Sequence, residues 1–245
     1  MNRATGAMQN TGGSNRTTVA TAALTVLLCG SVSVGLDAHG VSGKDAVFLM
    51  GLQGRAIGPL LYLGAKHMVT GYDHLLFLVG VVFFLHKLKD VVQYVSLFTL
   101  GHSVTLLAGV LGGVRANPFL VDAIIGFSVV YKAFENMDGF RTFFGVQPNA
   151  KVAVLVFGFF HGFGLATKLQ DFALSPNGLV ANILSFNAGV EIGQCLALTA
   201  ILIGLTYWRT RSGFLRHAFA FNGLVMACGF LLVGYQVSGF VLSPL

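Results

Sequence analysis

Charged residues are scarce in this sequence. Asp, Glu, Lys and Arg together make up only 10% of the 245 residues, while hydrophobic residues make up 55%. A soluble globular domain carries about 25% charged residues, so this chain has too little polar surface to cover a water-facing core. Its 15 Lys and Arg residues outnumber its 9 Asp and Glu residues, but they form no long basic run. Nucleic acid is therefore not an expected partner.

Cysteine is equally scarce, and no nucleotide-binding loop is present. Cys29, Cys195 and Cys228 lie in apolar stretches and form no CxxC pair. This spacing favours neither a disulfide framework nor a thiolate zinc site. Since no GxxxxGK[ST] motif occurs, ATP is not an expected ligand.

What the sequence does contain is a series of apolar segments of membrane-spanning length. They cover about residues 69–86, 92–112, 118–135, 150–168, 178–207 and 218–241. Each is close to the roughly 20 residues that a helix needs to cross a bilayer. We therefore expect an all-α, polytopic membrane bundle with six transmembrane helices, which form a domain over residues 67–245.

The N-terminal region has the order of a secretory signal peptide. A polar start with Arg3 and Arg16 precedes an apolar run over residues 19–36, and small residues follow around Ala38. This order predicts that residues 1–38 are a signal peptide; the alternative is an uncleaved N-terminal hydrophobic helix. Residues 39–66 are mixed in polarity, and we expect a periplasmic or interfacial segment there.

The Lys and Arg residues between the apolar segments predict the orientation. Cytoplasmic loops carry an excess of these residues, and the loops that follow the first, third and fifth segments are the richer set. We therefore expect a bacterial inner-membrane protein, surrounded by membrane lipids, whose mature N-terminus is periplasmic. The basic residues of the richer loops are Lys87, Lys89, Arg141, Lys151, Arg209, Arg211 and Arg216, against Arg115 and Lys168 in the others.

Ionisable residues within the predicted spans are the candidates for function. Each costs at least about 2.5–3.5 kcal/mol near the centre of a bilayer on insertion scales. In the first span His67 and His74 lie seven residues apart, so they share one face of a continuous helix. Asp73 is placed to accept a hydrogen bond from a histidine. The structural alternative for Asp73 is a helix N-terminus, where negative charge is favoured.

Three later spans add further candidates: His102 in the second, His161 in the fourth and Glu191 in the fifth. Either histidine could instead be a hydrogen-bonded or glycine-flanked packing residue. The predicted topology places all of these groups in the middle or periplasmic half of their spans. We therefore expect one cavity that faces the periplasm. Its expected ligands are His67, Asp73, His74, His102, His161 and Glu191, and its supporting polar groups are Ser103, Asp122, Asn187 and Gln194.

Imidazole and carboxylate groups together suit nickel, cobalt, zinc or iron. Copper(I) prefers soft sulfur ligands, and no paired Met or Cys accompanies these residues. The candidate residues therefore favour a site for a divalent transition metal.

At these residues the sequence resembles the HupE/UreJ family of membrane proteins over roughly residues 60–240. The resemblance implies a six-span secondary permease for nickel or cobalt, associated with the maturation of hydrogenase and urease. The motifs that carry it are His67-x5-Asp73-His74-Leu-Leu-Phe, His102-Ser103-x-Thr105, Phe127-Ser128-Val-Val-Tyr131-x-Ala-x-Glu135-Asn136, Phe160-His161-Gly162-Phe163-Gly164 and Phe186-Asn187-x-Gly189-Val-Glu191-x-Gly193-Gln194.

We therefore expect a permease for a divalent metal, with nickel first and cobalt or zinc next, and a metalloenzyme maturation system as its partner. One alternative is an intramembrane zinc hydrolase, in which His74, His102 and His161 are the ligands. Asp73 or Glu191 would then be the base that activates water. A further alternative is an assembly factor or sensor that binds metal without transporting it.

Overall fold

The computed structural model describes residues 54–171 and 177–243, and every regular element in these two ranges is a helix. The all-α prediction is therefore confirmed for this part of the chain. The predicted signal peptide and residues 39–53 lie outside the described residues. The helices are α1 (Ile57–Thr70), α2 (Tyr72–Val82), α3 (Leu88–Leu111), α4 (Pro118–Asn136), the short α5 (Gly139–Phe144), α6 (Ala150–Asp171), α7 (Leu179–Arg209) and α8 (Phe214–Leu242).

Glycine residues bring the long helices together in three close pairs: α3 with α6, α1 with α7, and α4 with α8. At each interface an added Cβ would press on the neighbouring helix, so the small residue permits the close approach. A Cβ would lie 2.5 Å from the Leu155 oxygen at Gly101, 2.6 Å from the Ala65 oxygen at Gly193, and 2.8 Å from Val130 Cγ2 at Gly229.

The order of these contacts gives the directions of the helices. Along α3 and α6 the contacts advance together, from Phe98 beside Gly158 to Gly109 beside Ala166, so these two helices are parallel. The same reasoning makes α1 and α7 parallel and α4 and α8 antiparallel. The hydrogen bonds of Thr99 with Gln194 and of Ser103 with Asn187 make α3 and α7 antiparallel, and the contacts of Asp122 with Lys168 and of Tyr131 with Phe157 make α4 and α6 antiparallel. Successive passes of the chain therefore alternate in direction, with α1 and α2 forming the first pass together.

The first pass is interrupted at Gly71. The Gly71 N–H donates to the His67 oxygen over 2.9 Å and ends α1, and Gly71 itself precedes the first turn of α2. A Cβ at Gly71 would lie 3.0 Å from both the His67 oxygen and His74 Nδ1. Helix α1 begins at Ile57, upstream of the first predicted span. Residues 57–66 pack along α7, and their periplasmic or interfacial location stays a prediction.

Four described helices are long and apolar enough to cross a membrane, namely α3, α6, α7 and α8. The first pass offers only the shorter apolar helix α2. Helix α4 has 19 residues but carries Asp122, Lys132 and Glu135. Length and composition thus support a membrane protein and four of the six predicted spans, and the other two stay predictions.

Arg209, which the sequence placed in a predicted cytoplasmic loop, joins two helices at one end of the bundle. Its guanidinium donates to the backbone oxygens of Val82, Phe83 and Leu85 just after α2. Backbone oxygens at a helix C-terminus have few donors within the helix; Val82 O also accepts from the Leu85 N–H at 3.1 Å, and the arginine adds donors to all three oxygens and joins α7 to α2. The Phe83 ring stacks on Phe221 at 5.3 Å beside this contact.

Candidate metal-binding site

The break at Gly71 places Asp73 and His74 in the first turns of α2, inside the bundle. Both residues are only 1% exposed. Asp73 Oδ1 accepts hydrogen bonds from the His74 backbone N–H at 2.8 Å and from His74 Nδ1 at 3.0 Å. With the proton on Nδ1, the lone pair of the ring lies on Nε2. A carboxylate that holds a histidine in this tautomer is typical of histidines that bind metals.

Four histidine rings, one from each of four helices, lie close together around His74. The His74 ring centroid lies 5.1 Å from that of His67 on α1, 4.9 Å from that of His161 on α6 and 6.4 Å from that of His102 on α3. All four rings are buried. The structure thus brings together the four predicted histidines, and we call them the histidine cluster.

Close packing of α3 against α6 fixes the positions of His102 and His161. Gly162 lies against the His102 backbone oxygen, so α3 and α6 approach closely beside both rings. His161 Nδ1 donates to the Phe157 oxygen over 2.8 Å, which leaves its Nε2 as the acceptor. Nε2 of His102 and Nε2 of His161 are both buried and have no hydrogen-bond partner among residues 54–171 and 177–243. A buried polar atom of this kind calls for an explanation, and a ligand is one.

The cluster is a group of neighbouring imidazoles and not a finished coordination shell. Within the described ranges, no three His, Cys, Asp or Glu side chains are placed to hold one metal ion together. Zinc-type sites hold their ligand nitrogens about 2.0–2.1 Å from the metal. The rings would therefore have to turn toward one another to share an ion.

Glu191 is not part of the cluster but is linked to it. Its side chain lies on the exposed side of α7 and accepts a hydrogen bond from Asn187 Nδ2 at 3.2 Å. Asn187 Oδ1 accepts from Ser103 at 3.1 Å, and the Asn187 side chain also interacts with His102. The predicted supporting residues Ser103 and Asn187 thus connect Glu191 to the cluster.

Gln194, the next predicted supporting residue, lies one turn further along α7. Its Oε1 accepts a hydrogen bond from Thr99 Oγ1 at 2.8 Å, and its side chain is buried. Gln194 therefore joins α7 to α3 by a hydrogen bond and makes no described contact with a histidine ring.

Asp122 forms an ion pair at the other side of the cluster. Its Oδ2 lies 2.7 Å from Lys168 Nζ, and both side chains are largely buried. The carboxylate is close enough to interact electrostatically with Asp73 and His74, and the ammonium with His67. The Asp122–Lys168 ion pair therefore lies beside the histidine cluster, in addition to the Asp73 carboxylate.

A family model for HupE/UreJ proteins matches residues 43–244. The chain belongs to the HupE/UreJ family. No curated protein and no solved structure shows a significant match to it. The family prediction is thereby confirmed, and the matched range contains every residue of the histidine cluster and its neighbours.

In this HupE/UreJ chain a layer of phenylalanine rings covers the histidine cluster on the side away from Asp122. Phe98 lies 4.9 Å and Phe77 5.3 Å from the His161 ring centroid, and the two phenylalanines lie 5.3 Å apart. Phe157 completes the layer at 5.9 Å from Phe77. We call Phe77, Phe98 and Phe157 the phenylalanine layer.

Sequence reasoning missed two lysines. Lys168 was assigned to a periplasmic loop, although it pairs with Asp122 inside the bundle. Lys132 pairs with Glu135 at 2.8 Å within α4, and neither of these residues was a candidate. The available signal was a basic residue within an apolar segment, which is as costly in a membrane as an acid.

Proposed function

We propose that the protein is a secondary permease for a divalent transition metal, with nickel as the preferred substrate. The observation that carries this proposal is the convergence of His67, His74, His102 and His161 from four helices in the interior of an apolar bundle. Membership of the HupE/UreJ family, which is associated with nickel or cobalt transport or urease maturation, supports the same function.

The ligand chemistry favours a borderline metal ion. Imidazole nitrogen suits nickel, cobalt and zinc, whereas magnesium and calcium prefer oxygen ligands. His74 and His161 each place Nδ1 against an oxygen acceptor, so the proton is held on Nδ1 and the lone pair of each ring lies on Nε2. Two such preset tautomers reduce the reorganisation that binding requires.

The direction of transport follows from the proposed topology. We place six passes in the bacterial inner membrane, with α1–α2 and α4 added to the four apolar spans. Because cytoplasmic ends carry the excess of Lys and Arg, the end that contains Lys87, Arg141 and Arg209 is cytoplasmic. The histidine cluster then lies nearer the periplasm, and the mature N-terminus is periplasmic.

Movement of protons into the cell together with the metal, down the proton gradient, is the proposed source of energy, with Glu191 as the group that carries the proton. Metal binding to imidazole and carboxylate releases protons, so binding and protonation are linked. Glu191 reaches the cluster through Asn187 and lies on the exposed side of α7. In membrane vesicles, Glu191→Gln should retain downhill nickel flux and lose accumulation driven by a pH gradient. Accumulation equal to that of the wild type would refute this role.

The transport proposal is tested by nickel accumulation in cells that express the wild type, His74→Ala or His217→Ala. His74 is central to the cluster, whereas His217 only donates to the Gly213 oxygen at the start of α8. We expect the wild type and His217→Ala to accumulate nickel and His74→Ala to fall to the level of cells without the protein. Equal accumulation by His74→Ala, at equal protein amounts in the membrane, would contradict the proposal.

A further inference from the structure

A second pair of buried charges lies within α4. Lys132 Nζ and Glu135 Oε2 are 2.8 Å apart, and each side chain is only 9% exposed. The two residues are three positions apart on one helix, so their contact joins no two helices. Replacing a buried ion pair by apolar residues of similar volume is often neutral or stabilising. Packing alone therefore does not account for the pair, and ionisable groups in a membrane interior are functional candidates by default.

The pair is in contact with the helix that carries His74. An added Cβ at Gly80 on α2 would lie 3.1 Å from Lys132 Cγ. Next to it, Asn136 Nδ2 donates to the Gly80 oxygen at 2.8 Å and to Asn222 Oδ1 at 2.9 Å. Lys132 and Asn136, one helical turn apart on α4, therefore both lie against α2 at Gly80.

The phenylalanine layer separates this pair from the histidine cluster. Along α2, Phe77 lies between His74 and Gly80. On α4 the pair follows Tyr131, whose ring centroid is 5.2 Å from that of Phe157. The pair therefore lies beyond the three rings, on the side of Arg209.

We propose that Glu135 is a second binding site for the divalent cation, on the opposite side of the phenylalanine layer from the histidine cluster. Lys132 is the resident cation that neutralises Glu135 when the site is empty and that the metal ion displaces. This inference rests on the proposed transport function. It gives the ammonium a physical role, because a buried carboxylate without a partner is strongly destabilising.

The histidine cluster offers nitrogen ligands and the Glu135 site offers oxygen ligands. This difference favours release of the ion from the second site. A first-row transition metal binds imidazole more strongly than it binds a site made of oxygen atoms. A tightly binding nitrogen site followed by a weaker oxygen site would capture the ion on one side and let it leave on the other. Glu135 is therefore a transfer site, and it contributes little to the affinity of the first binding event.

The test compares nickel binding by the purified full-length protein with nickel uptake into proteoliposomes. The variant is the double substitution Lys132→Met with Glu135→Leu, which removes both charges and leaves neither unpaired. We expect the Kd for nickel to change by less than about threefold, because the histidine cluster is intact. Uptake should fall about tenfold or more, because the ion loses its ligand beyond the phenylalanine layer.

The matched control is Arg115→Met with Asp171→Leu, which removes an ion pair whose side chains are 63% and 55% exposed; it should leave both binding and uptake unchanged. Glu135→Asp keeps the carboxylate and should restore part of the uptake.

Wild-type uptake by the Lys132/Glu135 double variant would overturn the inference and leave the permease proposal standing. Joint loss of binding and uptake would overturn it too, since the pair would then support the fold. Absence of uptake by the wild-type protein would instead refute the permease proposal.

Discussion

Substituting Gly189 by alanine tests how α1 and α7 hold the histidine cluster. A Cβ at Gly189 would overlap the backbone oxygen of Leu61 and lie 3.0 Å from the Ala65 nitrogen. Since both obstacles are backbone atoms, no side-chain rotation can relieve them, and α1 must move away from α7. Helix α1 carries His67, so the movement should also widen the 5.1 Å spacing between the His67 and His74 rings.

The expected magnitude follows from two opposing effects. Overpacking costs about 1–3 kcal/mol, while alanine gains about 0.5–1 kcal/mol over glycine within a helix. Gly189→Ala should therefore lower the free energy of unfolding by up to about 2.5 kcal/mol, the largest difference between those two ranges. Gly204 lies in the same helix with nothing within 4 Å of an added Cβ, so Gly204→Ala should be neutral or stabilising.

The assay is denaturant unfolding in mixed detergent micelles, combined with a nickel titration of the folded protein. Gly189→Ala should unfold at lower denaturant concentration than the wild type and bind nickel more weakly. Gly204→Ala should unfold at the same or a higher concentration and bind nickel normally. Equal stability of the two variants would refute the reasoning, because the Leu61 contact would then not limit the approach of the helices.

Three shorter predictions test other parts of the account. Asp73→Asn weakens the acceptor of the His74 Nδ1 proton, so nickel affinity measured by titration should fall about 10–100-fold; an unchanged affinity would contradict that role. Lys168→Met removes the ammonium that pairs with the buried Asp122 carboxylate and should lower the free energy of unfolding in denaturant by up to about 3–5 kcal/mol, while Lys168→Met with Asp122→Leu should recover most of it; equal losses would refute the pairing argument. In a cysteine-free background, Arg115→Cys should react with an impermeant maleimide from the periplasm and Arg141→Cys should not; the reverse pattern would invert the topology.

The sequence predicted the members of the histidine cluster because an ionisable residue in an apolar segment is conspicuous. His67, His74, His102 and His161 each lie in such a segment, and the structure places their rings side by side. The break at Gly71 was not foreseen, since a glycine within an apolar run is compatible with a continuous membrane helix. Asp73 fulfils both of its sequence interpretations, because it lies in the first turn of α2 and accepts from His74.

Helical spacing alone could not place Glu191. Asn187, Glu191 and Gln194 share one side of α7 by their three- and four-residue spacing. The packing partner α3 covers Asn187 and Gln194, and Glu191 lies at the exposed edge. Which residues of a polar stripe face a neighbour depends on the rotation of the helix, and tertiary contacts determine that rotation. The i, i+3 spacing of Lys132 and Glu135 is visible in the sequence, but the burial of the pair depends on how α4 packs.

The most direct measurement of the central claim is metal uptake by the purified protein in proteoliposomes, with nickel, cobalt and zinc compared under one inward pH gradient. The account predicts nickel accumulation above the level of empty liposomes, weaker transport of cobalt or zinc, and loss of accumulation in His74→Ala. Tight binding of nickel without any uptake would contradict the permease and indicate a protein that holds the metal without moving it.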